Sequence, residues 1–407
     1  MEGAAELARS VAARERSARE IVDAHLAVIA AENPRLNALT RVLSPPPLDG
    51  PLAGVPFSVK ENVDVAGTPT TFGLRGEIPD AALDAPSVAH LRAAGAVPLA
   101  RGNLPDLALR WHTESGRYGA TLNPHDASLT PGGSSGGDAV AVATGMVAFA
   151  VGTDYGGSLR VPASLARVFS LRPTPGRIAQ VSGVPPSMSR QLFATEGLLA
   201  RSVEDLALLL GVIAQPSSRD PRYTPAGWGE GAVGSLDVGV VLGADGASVE
   251  AAGHRATAVE LPHLERLASL WLDLLAYDSG PAALPRLREF GCEGTLRFLS
   301  ALLDLAAPLD GPGYAAALAE RHALAAAWSE LFERHPVILG PVSTEPPWPV
   351  GHDLGGVEAV RAQWSGYRLT VATSALGLPA LSLPDGTQLI TSRWNEALLL
   401  QLAAQLG

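Results

Sequence analysis

Two glycine-rich loops, TPGGSSGGDA at Thr130–Ala139 and GTDYGGSLR at Gly152–Arg160, bracket a short alanine-rich apolar stretch. Asp138 to Thr144 continues the first loop as an apolar helix, and Val147 to Val151 reads as a buried strand. Glycine loop, helix, strand, glycine loop is α/β grammar, in which helices cover a sheet and the loops between them are free to carry chemistry. The same grammar occurs earlier. Phe57 to Val59 reads as a short strand that delivers Lys60 at its end, and Pro86–Asn103 as a helix stopped by Gly95 and followed by a strand.

The flanking segments fit around this unit. Ser17 and Glu20 have the spacing of a capping box, and Ile21, Val22, His25, Leu26 and Ile29 form one largely apolar stripe, which predicts a helix to about Glu32. A further helix is expected from about Ser202 to Ala214. The Pro, Gly, Ser and Arg of Gln215–Ser235 suit a surface connection. Helical patterns dominate from Arg255 to Ser329, a buried strand is expected within His335–Ser343, and the end of the chain reads as strand, turn, strand and final helix.

Composition excludes several functions. A net charge of −11, with no block of basic residues, argues against binding nucleic acid through its phosphates. The longest apolar run, about Ala139 to Val151, is too short for a membrane span, and the N-terminus lacks the apolar core of a secretion signal. Cys292 is the only cysteine, so neither an intrachain disulfide nor a thiolate cluster can form. A soluble, cytoplasmic protein is the expectation. With 407 residues and 47% apolar content, it has enough material for a sizeable core.

The loops themselves admit three chemistries. A phosphate-binding loop needs Gly-Lys-Ser/Thr after its glycines, and Asp138 stands there instead. Gly132–Gly136 matches the G-x-S-x-G of a nucleophile elbow, centred on Ser134 or, one residue on, Ser135; that mechanism needs a later acid and histidine, for which His352 in PVGHDLGG is the best placed. In the third, successive N–H groups of Tyr155, Gly156, Gly157 and Ser158 converge as an oxyanion hole. Lys60, in the mostly apolar setting of VPFSV, then serves as base once desolvation has lowered its pKa.

The chain resembles the amidase signature family of serine hydrolases. The match runs in order through AGVPFSVKENVDVAG (53–67), SVAHLRAAGAVPLARGNLPDLA (87–108), YGATLNPHD (118–126), TPGGSSGGDAVAVATGMVAFAVGTDYGGSLRVPAS (130–164), LRPTPGRI (171–178) and EGLLARSVEDLALLL (196–210). The resemblance implies a Ser, cis-Ser, Lys triad: Ser158 as nucleophile, Ser134 as the bridging serine after a cis peptide, and Lys60 as base. The backbone of Tyr155, Gly156 and Gly157 would hold the oxyanion. It also implies a carboxamide substrate, a seryl acyl-enzyme, and no metal, nucleotide or organic cofactor. With the alternation above, it implies an α/β/α sandwich around a mixed central sheet, as a single domain over 1–407. The catalytic core would span about 50–215, and a helical region at about 255–330 would cover the substrate. A homodimer is compatible with the sequence.

Ser135 and Thr153 are read as hydrogen-bonding loop residues, Asp154 and Arg160 as a brace for the nucleophile loop, and Trp111 as packing. His112 and Glu114, in the same segment, are candidates for a pocket wall. Three departures from the family pattern bear on specificity: Ala166-Arg167 where Cys-Gly is usual, Arg172 in place of lysine, and the bulk of Tyr155 beside the oxyanion site. An arginine at 167 is expected to reshape the pocket. Two alternatives remain: the amide-transferring subunit of a glutamine-dependent aminoacyl-tRNA amidotransferase, against which the short chain and the segment Pro185–Ser202 argue, and a non-catalytic relative.

Overall fold

The computed structural model describes residues 2–43, 49–181, 186–227 and 234–406. Pro185 and residues 228–233, which belong to two segments discussed above, lie outside them. The strands are β1 (Leu39–Val42), β2 (Pro56–Lys60), β3 (Val97–Gly102), β4 (Glu114–Ser115), β5 (Gly119–Ala120), β6 (Phe149–Asp154), β7 (Phe169–Arg172), β8 (Thr195–Ala200), β9 (Asp237–Val240), β10 (Arg255–Ala258), β11 (Val337–Pro341), β12 (Ala380–Ser382) and β13 (Thr387–Thr391). Apart from the β4–β5 ribbon, they form one eleven-stranded sheet in the order β1-β3-β2-β6-β8-β7-β12-β13-β11-β9-β10. β2 runs parallel to β3 and β6, and β9 parallel to β10 and β11, while the strands between these groups pair antiparallel.

Side-chain alternation sends the central strands into two cores. In β11, Val337 and Leu339 join the cluster that includes the helices Val203–Ile213 and Glu396–Leu406, whereas Ile338 joins the one built on Leu264–Asp278 and Arg368–Leu376. β6 divides likewise, with Phe149 and Val151 on the first face and Ala150 on the other. The result is an α/β/α sandwich with a mixed central sheet. Among the described residues, no helix is long and apolar enough to cross a membrane.

Local expectations hold where the signal is chemical. Ser17 and Glu20 make both bonds of the capping box, although the helix they start, Ala18–Leu36, outlasts its apolar stripe and takes in Pro34. The reading of Arg255 onward as helical needs correction. Arg255–Ala258 is an edge strand, held by its parallel register with Asp237–Val240, and the first helix starts at Leu264. Alanine-rich RATA carries no periodicity that separates helix from strand, so pairing decides.

The helix Gly136–Ala143 starts hard against the sheet edge. A Cβ on Gly137 would overlap the backbone of Ala38 and Asn103, neither of which can rotate away. Gly→Ala in a helix normally stabilises by about 1 kcal/mol; here the sign should reverse. Gly137→Ala is expected to destabilise the chain by about 1–3 kcal/mol, read as a fall in the urea midpoint.

Candidate active site

β2 and β6 are parallel neighbours, with Val59 opposite Val151, so their carboxyl ends emerge side by side at one edge of the sheet. Crevices outside the carboxyl ends of parallel strands are where α/β sheets place ligands. Lys60 ends β2, Thr153 and Asp154 end β6, and the Ser134 loop leads into the helix Gly136–Ala143 beside them. Lys60 Nζ lies 2.7 Å from Ser134 Oγ and 3.0 Å from Thr153 Oγ1, which also accepts from Asn62 Nδ2 at 3.0 Å. The Gly133–Ser134 peptide is cis. The two serine loops are tied together by Ser135 N–H donating to the Ser158 carbonyl at 3.1 Å. Ser135 Oγ turns instead to the Thr153 carbonyl.

Ser134 and Ser158 both line a cavity of about 410 Å³, a volume suited to a small molecule. A small adjoining recess next to Ser158 is walled by Trp111, Tyr155, Trp271, Leu275, Phe298 and Leu302. Among the described residues, no histidine lines the cavity. His352 stacks on Trp348 instead, so it does not supply the partner a nucleophile elbow requires. His112 is buried behind the loop, where its Nδ1 lies 2.9 Å from Thr130 Oγ1 and burial pushes it down to about 4. Thr130 Oγ1 also accepts from Gly132 N–H, so His112 belongs to the brace of the loop. Glu114 pairs with Arg110 and does not line the cavity. No group of three or more His, Cys, Asp or Glu among the described residues could hold a metal ion.

Lys60 is fully buried, and desolvation drives its pKa down, opposed by the charges of Asp138 and Asp154 and assisted by Arg190. Asp138 is equally buried, and the same desolvation drives its carboxyl up. Its Oδ1 accepts from Ser58 Oγ at 2.6 Å, while Oδ2 has no partner among the described residues. Burial by itself would also raise Asp154, but the Arg160 and Arg172 guanidinium groups hold it well below the usual carboxylate range.

The Ser158 loop hangs on that carboxylate. Asp154 accepts from Gly157 N–H at 2.9 Å, Leu159 N–H at 3.2 Å, Arg160 Nε and Nη2 at 3.1 Å each, and Arg172 Nη1 at 3.2 Å. Gly157, at φ +98°, takes a conformation that only glycine adopts without strain. On the other side, Trp271 Nε1 donates to the Tyr155 carbonyl and Trp111 Nε1 to the Gly156 carbonyl, each at 2.9 Å. The Gly157 N–H expected to face an oxyanion is therefore already engaged by Asp154.

Two other expectations change. Arg167 does not reshape the pocket: it is an exposed residue in the left-handed region at φ 57°, capping the helix Arg160–Ala166 away from the cavity. Arg172 is part of the brace, donating also to the carbonyls of Asp154 at 2.7 Å and Phe193 at 2.6 Å. Asn62, Asp138 and Arg190 were not singled out as site residues from sequence. Asp138 carried a usable signal, an acid in an otherwise small, apolar helix start. Arg190 carried none.

A family model described as Amidase matches residues 6–267. Among curated proteins, the chain is 34% identical to an indoleacetamide hydrolase of Bradyrhizobium diazoefficiens, covering 95% of this chain and 82% of that protein. It is also 35% identical to a glutamyl-tRNA(Gln) amidotransferase subunit of Deinococcus radiodurans, over 83% of this chain and 77% of that one. Among solved structures, a 6-aminohexanoate cyclic dimer hydrolase complexed with substrate superposes with a TM-score of 0.83 at 28% identity, covering 100% of this chain and 96% of the other.

Proposed function

Because the chain belongs to the Amidase family and is a hydrolase of amide bonds, we propose that Ser158 is its nucleophile, Ser134 the proton relay and Lys60 the base. The observation that carries this reading is the 2.7 Å approach of a buried lysine to Ser134, in the wall of a cavity that Ser158 shares. Lys60, in the neutral form that burial favours, accepts the Ser134 proton as Ser134 accepts that of Ser158, and Ser158 Oγ attacks the amide carbonyl. The amine leaves with a proton returned along the relay, and water releases the acyl group by the same route.

For the oxyanion, the reading rests on the N–H groups of Tyr155, Gly156 and Ser158. A trans peptide points its N–H away from its carbonyl, so the indole that holds the Tyr155 carbonyl also aims Gly156 N–H the opposite way. The helices Leu264–Asp278 and Glu293–Leu303 supply Trp271 and Phe298 to the recess beside Ser158, which supports a substrate-covering role for 255–330 within one domain. The lone Cys292 supports a reducing, cytoplasmic setting.

Peptide-mapped mass spectrometry after treatment with a fluorophosphonate tests the assignment without knowledge of the substrate. Label is expected on Ser158, absent in Ser158→Ala and strongly reduced in Lys60→Ala. Label on Ser134 or Ser135 in the unaltered chain would overturn it. The similarity to the amidotransferase chain of Deinococcus radiodurans favours one second reading, amide transfer within a complex; glutaminase activity together with co-purifying chains is its signature.

A further inference from the structure

Arg190, on the short helix Met188–Phe193, lines the same cavity as Ser134 and Ser158. Its guanidinium lies over the Tyr155 ring, 5.9 Å from the centroid, and among the described residues it makes neither a hydrogen bond nor an ion pair. The other arginines nearby are spoken for: Arg160 and Arg172 hold Asp154, and Arg222 holds Asp220 at 3.3 Å. Arg219 also lines the cavity, with Nη1 donating to the Asp84 carbonyl at 2.6 Å.

Among the described residues, none of the carboxyl groups around Arg190 forms an ion pair with it. Asp154 and Asp220 are paired to other guanidinium groups. Glu196, on the cavity wall, is buried, accepts from Ser87 Oγ, and is pushed up by that burial to about 7. Asp278, in the adjoining groove that Arg190 also borders, accepts from Ser189 N–H and Oγ, Ser279 Oγ and Tyr314 Oη, all neutral donors. Among the described residues Arg190 thus faces the catalytic cavity without an ion-pair partner. A guanidinium held over a ring with all its donors open is preorganised for a planar, bidentate anion, and a partly enclosed cavity strengthens that attraction.

We propose that Arg190 binds a carboxylate on the substrate, so that the amides this enzyme prefers carry an anionic group distal to the scissile bond. The inference rests on Ser158 being the nucleophile. Tyr155, whose ring supports the guanidinium and whose hydroxyl lies 2.6 Å from Ser189 Oγ, acts as the platform. Its bulk beside the oxyanion loop then has a purpose that a small residue there would not serve.

The test uses the full chain and pairs of primary amides that differ only at the far end: succinamate, glutaramate and adipamate against butanamide, pentanamide and hexanamide. At least one carboxylated amide is expected to exceed its neutral partner in kcat/KM by about 10- to 100-fold, the range of a charge-assisted hydrogen-bonded pair. Arg190→Ala should collapse that ratio toward unity, mainly through KM, and Arg190→Lys should retain part of it. Equal rates within every pair, or a preference that survives Arg190→Ala, overturns the proposal. So does failure to hydrolyse any carboxylated amide in a chain whose Ser158 takes the fluorophosphonate. If Ser158 is not labelled at all, the catalytic reading falls and this inference falls with it, which keeps the two failures distinct.

Discussion

A Lys60→Ala chain is expected to lose about 10⁴-fold or more in kcat/KM on any amide the unaltered enzyme turns over, the scale on which removal of one relay member acts in serine hydrolases. Lys60→Arg should lose as much, because a guanidinium stays protonated at every usable pH and cannot accept a proton. The pH profile gives an independent check. Desolvation lowers the lysine to about 7 against the opposing fields of Asp138 and Asp154, so the neutral base accumulates as pH rises through that value. kcat/KM should therefore be low in acid and climb through a midpoint near neutrality, where an exposed lysine would place the climb near ~10. Steady-state kinetics from acid to mild alkali, with circular dichroism to show each variant folded, would decide it. A flat profile, or activity retained in Lys60→Arg, contradicts the role.

The second large effect is on stability. Asp154, Arg160 and Arg172 are all fully buried, and the carboxylate is the common partner of both guanidinium groups and of two loop amides. Replacing Asp154 with Ala leaves two cations in the interior without their counter-charge, which should cost about 3–5 kcal/mol in urea unfolding at neutral pH. Asp154→Asn should cost less, since its amide oxygen still accepts. Because the folded-state pKa of Asp154 is depressed, its contribution is complete above the unfolded carboxylate value near ~4 and disappears as pH falls through the folded one. The difference between the unaltered chain and Asp154→Asn should therefore narrow in acid. A cost below about 1 kcal/mol for Asp154→Ala would mean that water or a rearranged side chain replaces the carboxylate.

Much of this was legible in the residues. Lys60 at the end of a strand, the Ser134 loop opening a helix, Asp154 with Arg160 around Ser158, and the Ser17 capping box are local or short-range statements, and their chemistry is specific to residue type. Arg255–Ala258 was misread because alanine-rich segments blur periodicity, and a four-residue edge strand exists only through its partner. Arg167 was misjudged for another reason. Proximity in sequence to the Ser158 loop suggested a place in the pocket, whereas Arg167 caps the intervening helix in an exposed position that does not line the cavity.

The sequence alone determined the α/β grammar, which follows from hydrophobic periodicity along the chain, and the order of Lys60, the Ser134 loop and the Ser158 loop, whose proposed roles come from the family resemblance. The tertiary structure alone decided what surrounds each of them. Gly157 gives its N–H to Asp154, Arg172 reaches the same carboxylate from another strand, and Arg190 comes into the cavity without an ion-pair partner among the described residues. Burial and pairing are properties of groups brought together from distant positions, so the desolvation that lowers Lys60, and the cation left open for a substrate, appear only once the sheet is assembled.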